Sequence, residues 1–189
     1  VLMKDAISAR RTGLDRIPHL HVDRDSLSLD MTSGVSLDLH TLQAAWVLAH
    51  DNARLTAPLP EEIQHAHLAQ LQEATTLSRG EFLEGFSLHN APRFDDWARF
   101  QREYWHLRMH LVFDRLSSQY EDAGEFEQAI AVNIRWLALT FLNEEASQRL
   151  MSLHFATGNR VAALQAYEAL RALLASEIHA EPTPITMAL

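Results

Sequence analysis

The sequence contains no cysteine, and this absence excludes several kinds of site at once. A disulfide framework, a thiol nucleophile and cysteine-based zinc or iron–sulfur centres cannot form. No uninterrupted apolar run approaches the length of a membrane span, and the first residues hold no apolar stretch of signal-peptide length. We therefore expect a cytoplasmic protein that contacts no membrane. Because the chain begins with Val1 and not with methionine, we also expect it to be a fragment of a longer protein.

Glycine and proline are scarce as well, with 6 of each among 189 residues. Since both residues interrupt helices, their scarcity favours long helices over a β architecture with many turns, and the abundant Ala, Leu, Glu and Gln favour the same outcome. Apolar residues make up 47% of the chain and charged residues 22%, which is typical of a globular protein. The predicted fold class is all-α.

The net charge of −9 is unevenly distributed along the chain. Residues 1–24 contain five basic and three acidic side chains, whereas the remainder contains 11 basic and 22 acidic ones. The acidic body of such a chain repels DNA and anionic membranes at long range. Residues 1–24 are therefore weakly basic, whereas the rest of the chain is strongly acidic.

The same early region carries the only strand-like pattern. Apolar and polar side chains alternate in residues 20–22 and again in residues 27–31, with a short polar break between the two runs. This alternation predicts a small β-hairpin. From Leu37 onward the apolar residues recur at steps of three and four, which predicts successive amphipathic helices.

Two segments in the second half of the chain repeat with a period of 34 residues. A helix–turn–helix unit of this length is the tetratricopeptide period. Glycine permits the tight turn, and a small alanine lets two antiparallel helices approach closely. With a weaker third helix pair at residues 37–54 and 61–77, we expect a right-handed stack of about three helical hairpins. The matched pairs that define the repeat are Gly124 with Gly158, Ala129 with Ala163, Leu116 with Leu150 and Ile130 with Leu164.

Further motifs occur in a fixed order around this repeat. They are the loop Gly80–Phe86, the run Phe94-Asp95-Asp96-Trp97, the pair Arg102-Glu103, and the closing residues Glu177, Pro182, Thr186 and Leu189. In this order the motifs resemble the bacterial transcriptional activator domain, over residues 37–189. That domain occurs in antibiotic regulatory proteins and in large multidomain regulators. The resemblance implies a protein-interaction module of a bacterial DNA-binding transcription regulator, which acts by assembly with a partner or with itself.

In the family that the chain resembles, the domain follows a winged-helix DNA-binding domain. Residues 1–36 look like the tail of one, with residues 5–14 as the end of a recognition helix and residues 20–31 as the wing. The resemblance implies that Arg10 and Arg11 contact DNA in the intact protein. An ordinary solvated helix end is the alternative interpretation of two adjacent arginines. Because the rest of the winged helix is missing, we expect no DNA recognition by this chain alone.

Three tryptophans are candidates for packing or for binding. Trp105 falls on the predicted core stripe of its helix, and we expect Trp97 to pack the preceding loop against the stack. Trp136 has no counterpart in the second repeat, where Leu170 stands. It is therefore the best candidate for an exposed aromatic residue that binds a partner, with burial as the alternative.

Catalysis and metal binding have little support in the sequence. His106 and His110 lie four residues apart and could share a helix face, but the spacing supplies no third metal ligand. The GxSxG, GxxxxGK[ST] and GxGxxG motifs are all absent. We therefore expect no enzyme, no cofactor and no bound metal. A tetratricopeptide adaptor unrelated to transcription is the main alternative, and a helical enzyme with a histidine-based metal site is a more distant one.

Overall fold

The computed structural model describes residues 20–22, 27–30, 37–52, 60–140 and 142–189. The chain divides into two compact units, Val1–His40 and Thr41–Leu189.

In the first unit, strand β1 (Leu20–Val22) pairs antiparallel with strand β2 (Leu27–Leu29), and Leu20 stands opposite Leu29. The residues between these strands lie outside the described part of the chain, as do Arg10 and Arg11. The assignment of residues 1–36 to a winged-helix remnant therefore remains a prediction.

The rest of the described chain is helical, which confirms the all-α class. Along the second unit, α2 contacts α3, α3 contacts α4, α4 contacts α5, and α5 contacts α6, so consecutive helices from α2 to α6 are neighbours. The helices are α1 (Asp38–Asn52), α2 (Glu61–Leu77), α3 (Pro92–Asp122), α4 (Phe126–Leu139), α5 (Glu144–Ala156), α6 (Arg160–Glu177) and the short α7 (Pro184–Met187).

The long helix α3 begins earlier than its sequence pattern suggested. By residue type, Asp95 or Asp96 would suit an N-cap before Trp97, but the N-cap is Ala91. The helix begins at Pro92, whose fixed φ suits the first helical position and whose missing N–H is not needed there. Asp95 lies instead within the first turn, where the helix dipole favours a negative charge.

The turns at Gly124 and Gly158 have the same structure. Both glycines adopt left-handed backbone, with φ of +74° and +77°. In each turn the glycine N–H donates to the carbonyl three residues earlier, at 2.9 Å. The N–H of the residue that follows the glycine donates to the carbonyl five residues earlier than itself, at 2.8 Å. These two bonds define the Schellman ending of a helix. The chain therefore reverses in the same way after α3 and after α5.

Helix α4 has its buried face on residues 129, 133 and 136. The side chain of Asn133 is fully buried, and its amide donates to Ser117 Oγ at 2.6 Å and to the Ala129 carbonyl at 2.8 Å. Ala129 is fully buried, whereas Ala163, its match in the repeat, is half-buried. Ile134, on the same helix, is 54% exposed.

Arg149 connects α5 to α3, which are not consecutive in the chain. Its guanidinium donates to Asp114 Oδ1 at 2.6 Å and to Ser118 Oγ at 2.9 Å, and it lies 3.3 Å from the Glu121 carboxylate. Hydrogen bonds to charged groups are about twice as strong as neutral ones. Helices α3, α4 and α5 are therefore mutual neighbours, as stacked helix pairs require.

The end of the chain is attached to the first turn of α5 through Glu144. One carboxylate oxygen accepts hydrogen bonds from the Thr183 N–H at 2.7 Å, from the Thr183 hydroxyl at 2.7 Å and from the Thr186 hydroxyl. Burial alone would raise the pKa of Glu144, but the hydrogen bonds from Thr186 and Thr183 outweigh it and lower the pKa below its ordinary value. The ionised form of Glu144 is thus the form that holds α7 in place.

We expect Gly124→Ala and Gly158→Ala each to lower the free energy of unfolding in urea by about 1–2 kcal/mol, the cost of left-handed backbone for an L-residue. A Cβ at either position meets no atom within 4 Å, so backbone strain is the only source of the loss. Asn tolerates this conformation, and Gly124→Asn should therefore lose less than Gly124→Ala. Equal losses for the two variants would contradict the explanation.

We expect Glu144→Gln to lower the free energy of unfolding most at neutral pH. Because the folded-state pKa is lowered, the ionised carboxylate stabilises the fold above the ordinary glutamate pKa, and this contribution is lost as the pH falls through the lowered value. The difference between wild type and variant in urea unfolding should therefore shrink in acid. Glu168→Gln, which alters a surface ion pair with Arg171, is the control. A stability difference for Glu144→Gln that does not vary with pH would contradict this role of the ionised Glu144 carboxylate.

Candidate protein-interaction surface

Trp136 is fully buried, so the expectation that it is an exposed partner-binding residue is wrong. Its ring lies nearly parallel to that of Phe113, at a centroid distance of 6.1 Å, and His110 meets it edge-on at 4.8 Å. The physical reason is that α4 has neighbours on two sides, α3 and α5, so the side of the helix that carries Trp136 is covered. Trp136 packs the core and offers no surface to a partner.

The loop before α3 is held against the helix by Arg102. The guanidinium donates to the Phe82 carbonyl at 3.1 Å and to the Leu83 carbonyl at 3.4 Å, and it lies 3.6 Å from the Glu81 carboxylate. Leu83 has a φ of +54°, the left-handed region that a branched side chain adopts at a cost. The bonds from Arg102 therefore stabilise a loop conformation that is locally strained.

Trp97 belongs to an aromatic cluster formed by this loop and the start of α3. Its ring contacts Phe82 edge-on at a centroid distance of 5.8 Å and Phe94 at 5.6 Å, while Phe86 contacts Phe94 at 5.6 Å. Trp97 thus contacts both the loop and the helix, yet 46% of the residue remains exposed. The cluster covers part of the tryptophan side chain and leaves the rest exposed.

A row of exposed apolar side chains continues from Trp97 along the first half of α3. We call it the α3 stripe; it consists of Trp97, Phe100, Tyr104 and Leu107, which are 46%, 69%, 37% and 63% exposed. At 3.6 residues per turn these positions share one face of the helix, roughly opposite the face that buries Ala98, Met109 and Val112. Helix α3 therefore has a core face and a second apolar face that remains partly exposed along its length.

Arg108 supports one edge of the α3 stripe and joins α3 to α1. Its guanidinium lies 3.6 Å from the centroid of the Tyr104 ring and 3.9 Å from that of Trp46, and it donates to Gln43 Oε1 at 3.0 Å. Burial lowers the pKa of Arg108, but arginine stays protonated in proteins. The cation therefore stacks between two rings and holds Tyr104 at a fixed position beside α1.

A second exposed apolar group lies at the turn between α5 and α6. Phe155, Val161 and Leu164 are each more than half exposed there, and the Arg160 guanidinium lies 5.8 Å from the centroid of the Phe155 ring. We call these three residues the end patch. It is shorter than the α3 stripe, and its three members lie on two helices.

The histidines of α3 do not form a metal site. His110 Nε2 lies 3.2 Å from Glu145 Oε2, and Nδ1 lies 3.4 Å from the amide nitrogen of Asn143, so both ring nitrogens face protein groups. His106 is exposed. Within the described ranges, no three His, Asp or Glu side chains are arranged to hold a metal ion. Nor, among those residues, does any helix combine the length and apolar character needed to cross a bilayer.

The sequence motifs include Arg102 but not Phe100, Tyr104, Leu107 or Arg108. The signal was present, because Trp97, Phe100, Tyr104 and Leu107 follow one another at steps of three, four and three residues. A second apolar period on the same helix is the pattern that could have revealed the surface.

We expect Arg108→Ala to lower the free energy of unfolding by about 1–2 kcal/mol, because it removes a partly desolvated cation from between two rings. In a double-mutant cycle, Arg108→Ala and Trp46→Leu should lose less together than the sum of their separate losses. Arg99→Ala removes an arginine of the same helix that makes only a surface ion pair with Asp96, and its loss should stay below about 1 kcal/mol. Strict additivity of the first two substitutions would argue against the stacked arrangement.

Comparison with known proteins gives one finding. No curated protein matches the chain. A family model described as the bacterial transcriptional activator domain matches residues 41–189, which is most of the chain and nearly all of its helical part. The resemblance seen in the sequence motifs is confirmed by this match. The chain belongs to the bacterial transcriptional activator domain family.

Proposed function

We propose that the chain is the protein-binding module of a bacterial DNA-binding transcription activator, and that it acts by assembly with a partner protein or with a second copy. The family occurs in bacterial transcription regulators and is not a family of enzymes, which agrees with the expected lack of catalysis. The observation that carries the proposal is the α3 stripe, since contiguous exposed apolar residues on a rigid element mark interaction sites.

The proposed architecture is a tetratricopeptide-like, right-handed stack of helix pairs. The pairs α3–α4 and α5–α6 close with the same glycine turn, and Arg149 ties the first helix of one pair to the first helix of the next. Helices α1 and α2, the third pair expected from the sequence, are not among the helix pairs in extensive contact, so the proposal rests on the two later pairs, with α2 packed on α3. A scaffold of this kind holds its surface residues in fixed positions, so little conformational entropy is lost when a partner binds.

DNA binding in this proposal belongs to the intact regulator. The winged-helix domain whose tail residues 1–36 resemble would supply it, with Arg10 and Arg11 among the DNA contacts. The helical module would then position that domain on its operator or recruit the transcription machinery. The family match favours this regulator over a tetratricopeptide adaptor unrelated to transcription.

The test is a transcription reporter driven by the intact regulator. We expect Phe100→Ser to lower reporter transcription by about tenfold or more, because central aromatic residues dominate the energy of most interfaces. Ile134→Ser removes an apolar side chain of α4 that is also more than half exposed, and it should leave transcription unchanged. Both variants are compared at equal protein levels. Full transcription from the Phe100→Ser regulator would overturn the proposal.

A further inference from the structure

We propose that the α3 stripe is the interface of an antiparallel homodimer, in which α3 of one copy pairs with α3 of a second copy. The inference rests on the proposed function in one respect: it names the occupant of the same surface. Three properties of the stripe support a second copy as that occupant: its spacing, its charge and its area.

The spacing of the stripe is complementary to itself. Steps of three, four and three residues are those of the a and d positions of a coiled-coil seam. The order of steps is the same when read backwards, so a second α3 running in the opposite direction offers the same seam. A two-fold axis midway along the stripe then sets Trp97 against Leu107 of the second copy, and Phe100 against Tyr104 of the second copy. The largest side chain meets the smallest at each end, and two aromatic rings meet at the centre.

The charge around the stripe permits two copies to meet. Residues 93–107 contain three arginines (Arg93, Arg99, Arg102) and three acids (Asp95, Asp96, Glu103), so this stretch carries no net charge in a chain whose net charge is −9. Like charges that face each other across an interface would oppose association. The α3 stripe thus lies in a neutral segment of an acidic chain, where a second acidic chain meets little repulsion.

The area of the stripe is sufficient for a reversible dimer. Aromatic side chains have roughly 150–250 Å² of surface each, and from the exposed fractions the α3 stripe with the neighbouring Phe86 offers about 500 Å² per copy. Two copies together would bury about 1,000 Å², the lower limit of a specific interface. We therefore expect a dimer with a dissociation constant in the micromolar range.

Sedimentation equilibrium of the 189-residue chain over a range of concentrations tests the dimer. We expect Phe100→Ser to raise the dissociation constant by about 30-fold or more, because each dimer contains the substitution twice. Phe155→Ser removes an aromatic ring of similar exposure from the end patch and should leave the constant unchanged. Since both residues are exposed, circular dichroism and urea unfolding should match wild type. A chain that stays monomeric at millimolar concentration, or a dimer that Phe100→Ser leaves intact, overturns the proposal.

An exchange of charges tests the antiparallel register. Trp97→Glu and Leu107→Lys should each abolish dimerisation alone. Mixed together they should form a heterodimer, because one end of the seam then pairs glutamate with lysine while the other end keeps its native contact. A mixture that remains monomeric contradicts the pairing of Trp97 with Leu107 of the second copy.

The two proposals fail in different ways. Reporter transcription that drops with Phe100→Ser while the purified chain is monomeric ends the dimer and leaves the proposed function standing. Reporter transcription that is unaffected while the substitution dissociates a real dimer ends the proposed function and leaves the dimer standing.

Discussion

The packing of α4 between α3 and α5 is the constraint on which the rest of the helical unit depends. Trp136 stacks on Phe113 and receives the edge of His110, and removal of a buried tryptophan of this kind costs about 3–5 kcal/mol. Because this contact fixes the rotation of α3 about its own axis, it also decides which face of α3 is turned outward. The position of the α3 stripe is thus a consequence of core packing on the other side of the same helix.

Local features of the fold could be predicted from the sequence, because local rules determine them. Gly124 and Gly158 end helices by a conformation that few other residues accept, and the spacing between them is visible without coordinates. The rotation of each helix was harder to predict. Helix α4 has apolar residues around much of its circumference, so periodicity alone did not show that Ile134 faces outward and Trp136 inward. The packing of α3 and α5 against α4 decides which of these two side chains is buried.

The candidate surface was hidden from sequence analysis for a related reason. Apolar residues on α3 follow two overlapping periods, and the pattern does not say which of them is the core. Arg108 illustrates a second difficulty, since its partner Trp46 lies on another helix and no local rule brings the two together. The sequence predicts helices and turns well where neighbours in the chain suffice, and it fails where partners are distant.

The attachment of the loop by Arg102 makes this region easier to open than the helical core. One side chain makes the polar contacts that join Phe82 and Leu83 to α3, and the strain at Leu83 is relieved once they are broken. Segments held by few contacts open at a fraction of the global unfolding free energy. Detachment of this loop would uncover the inner sides of Phe82 and Phe94 next to Trp97. The exposed apolar area on α3 can therefore increase without any change in the helical core. The position of the loop thus determines how much apolar surface is exposed beside Trp97.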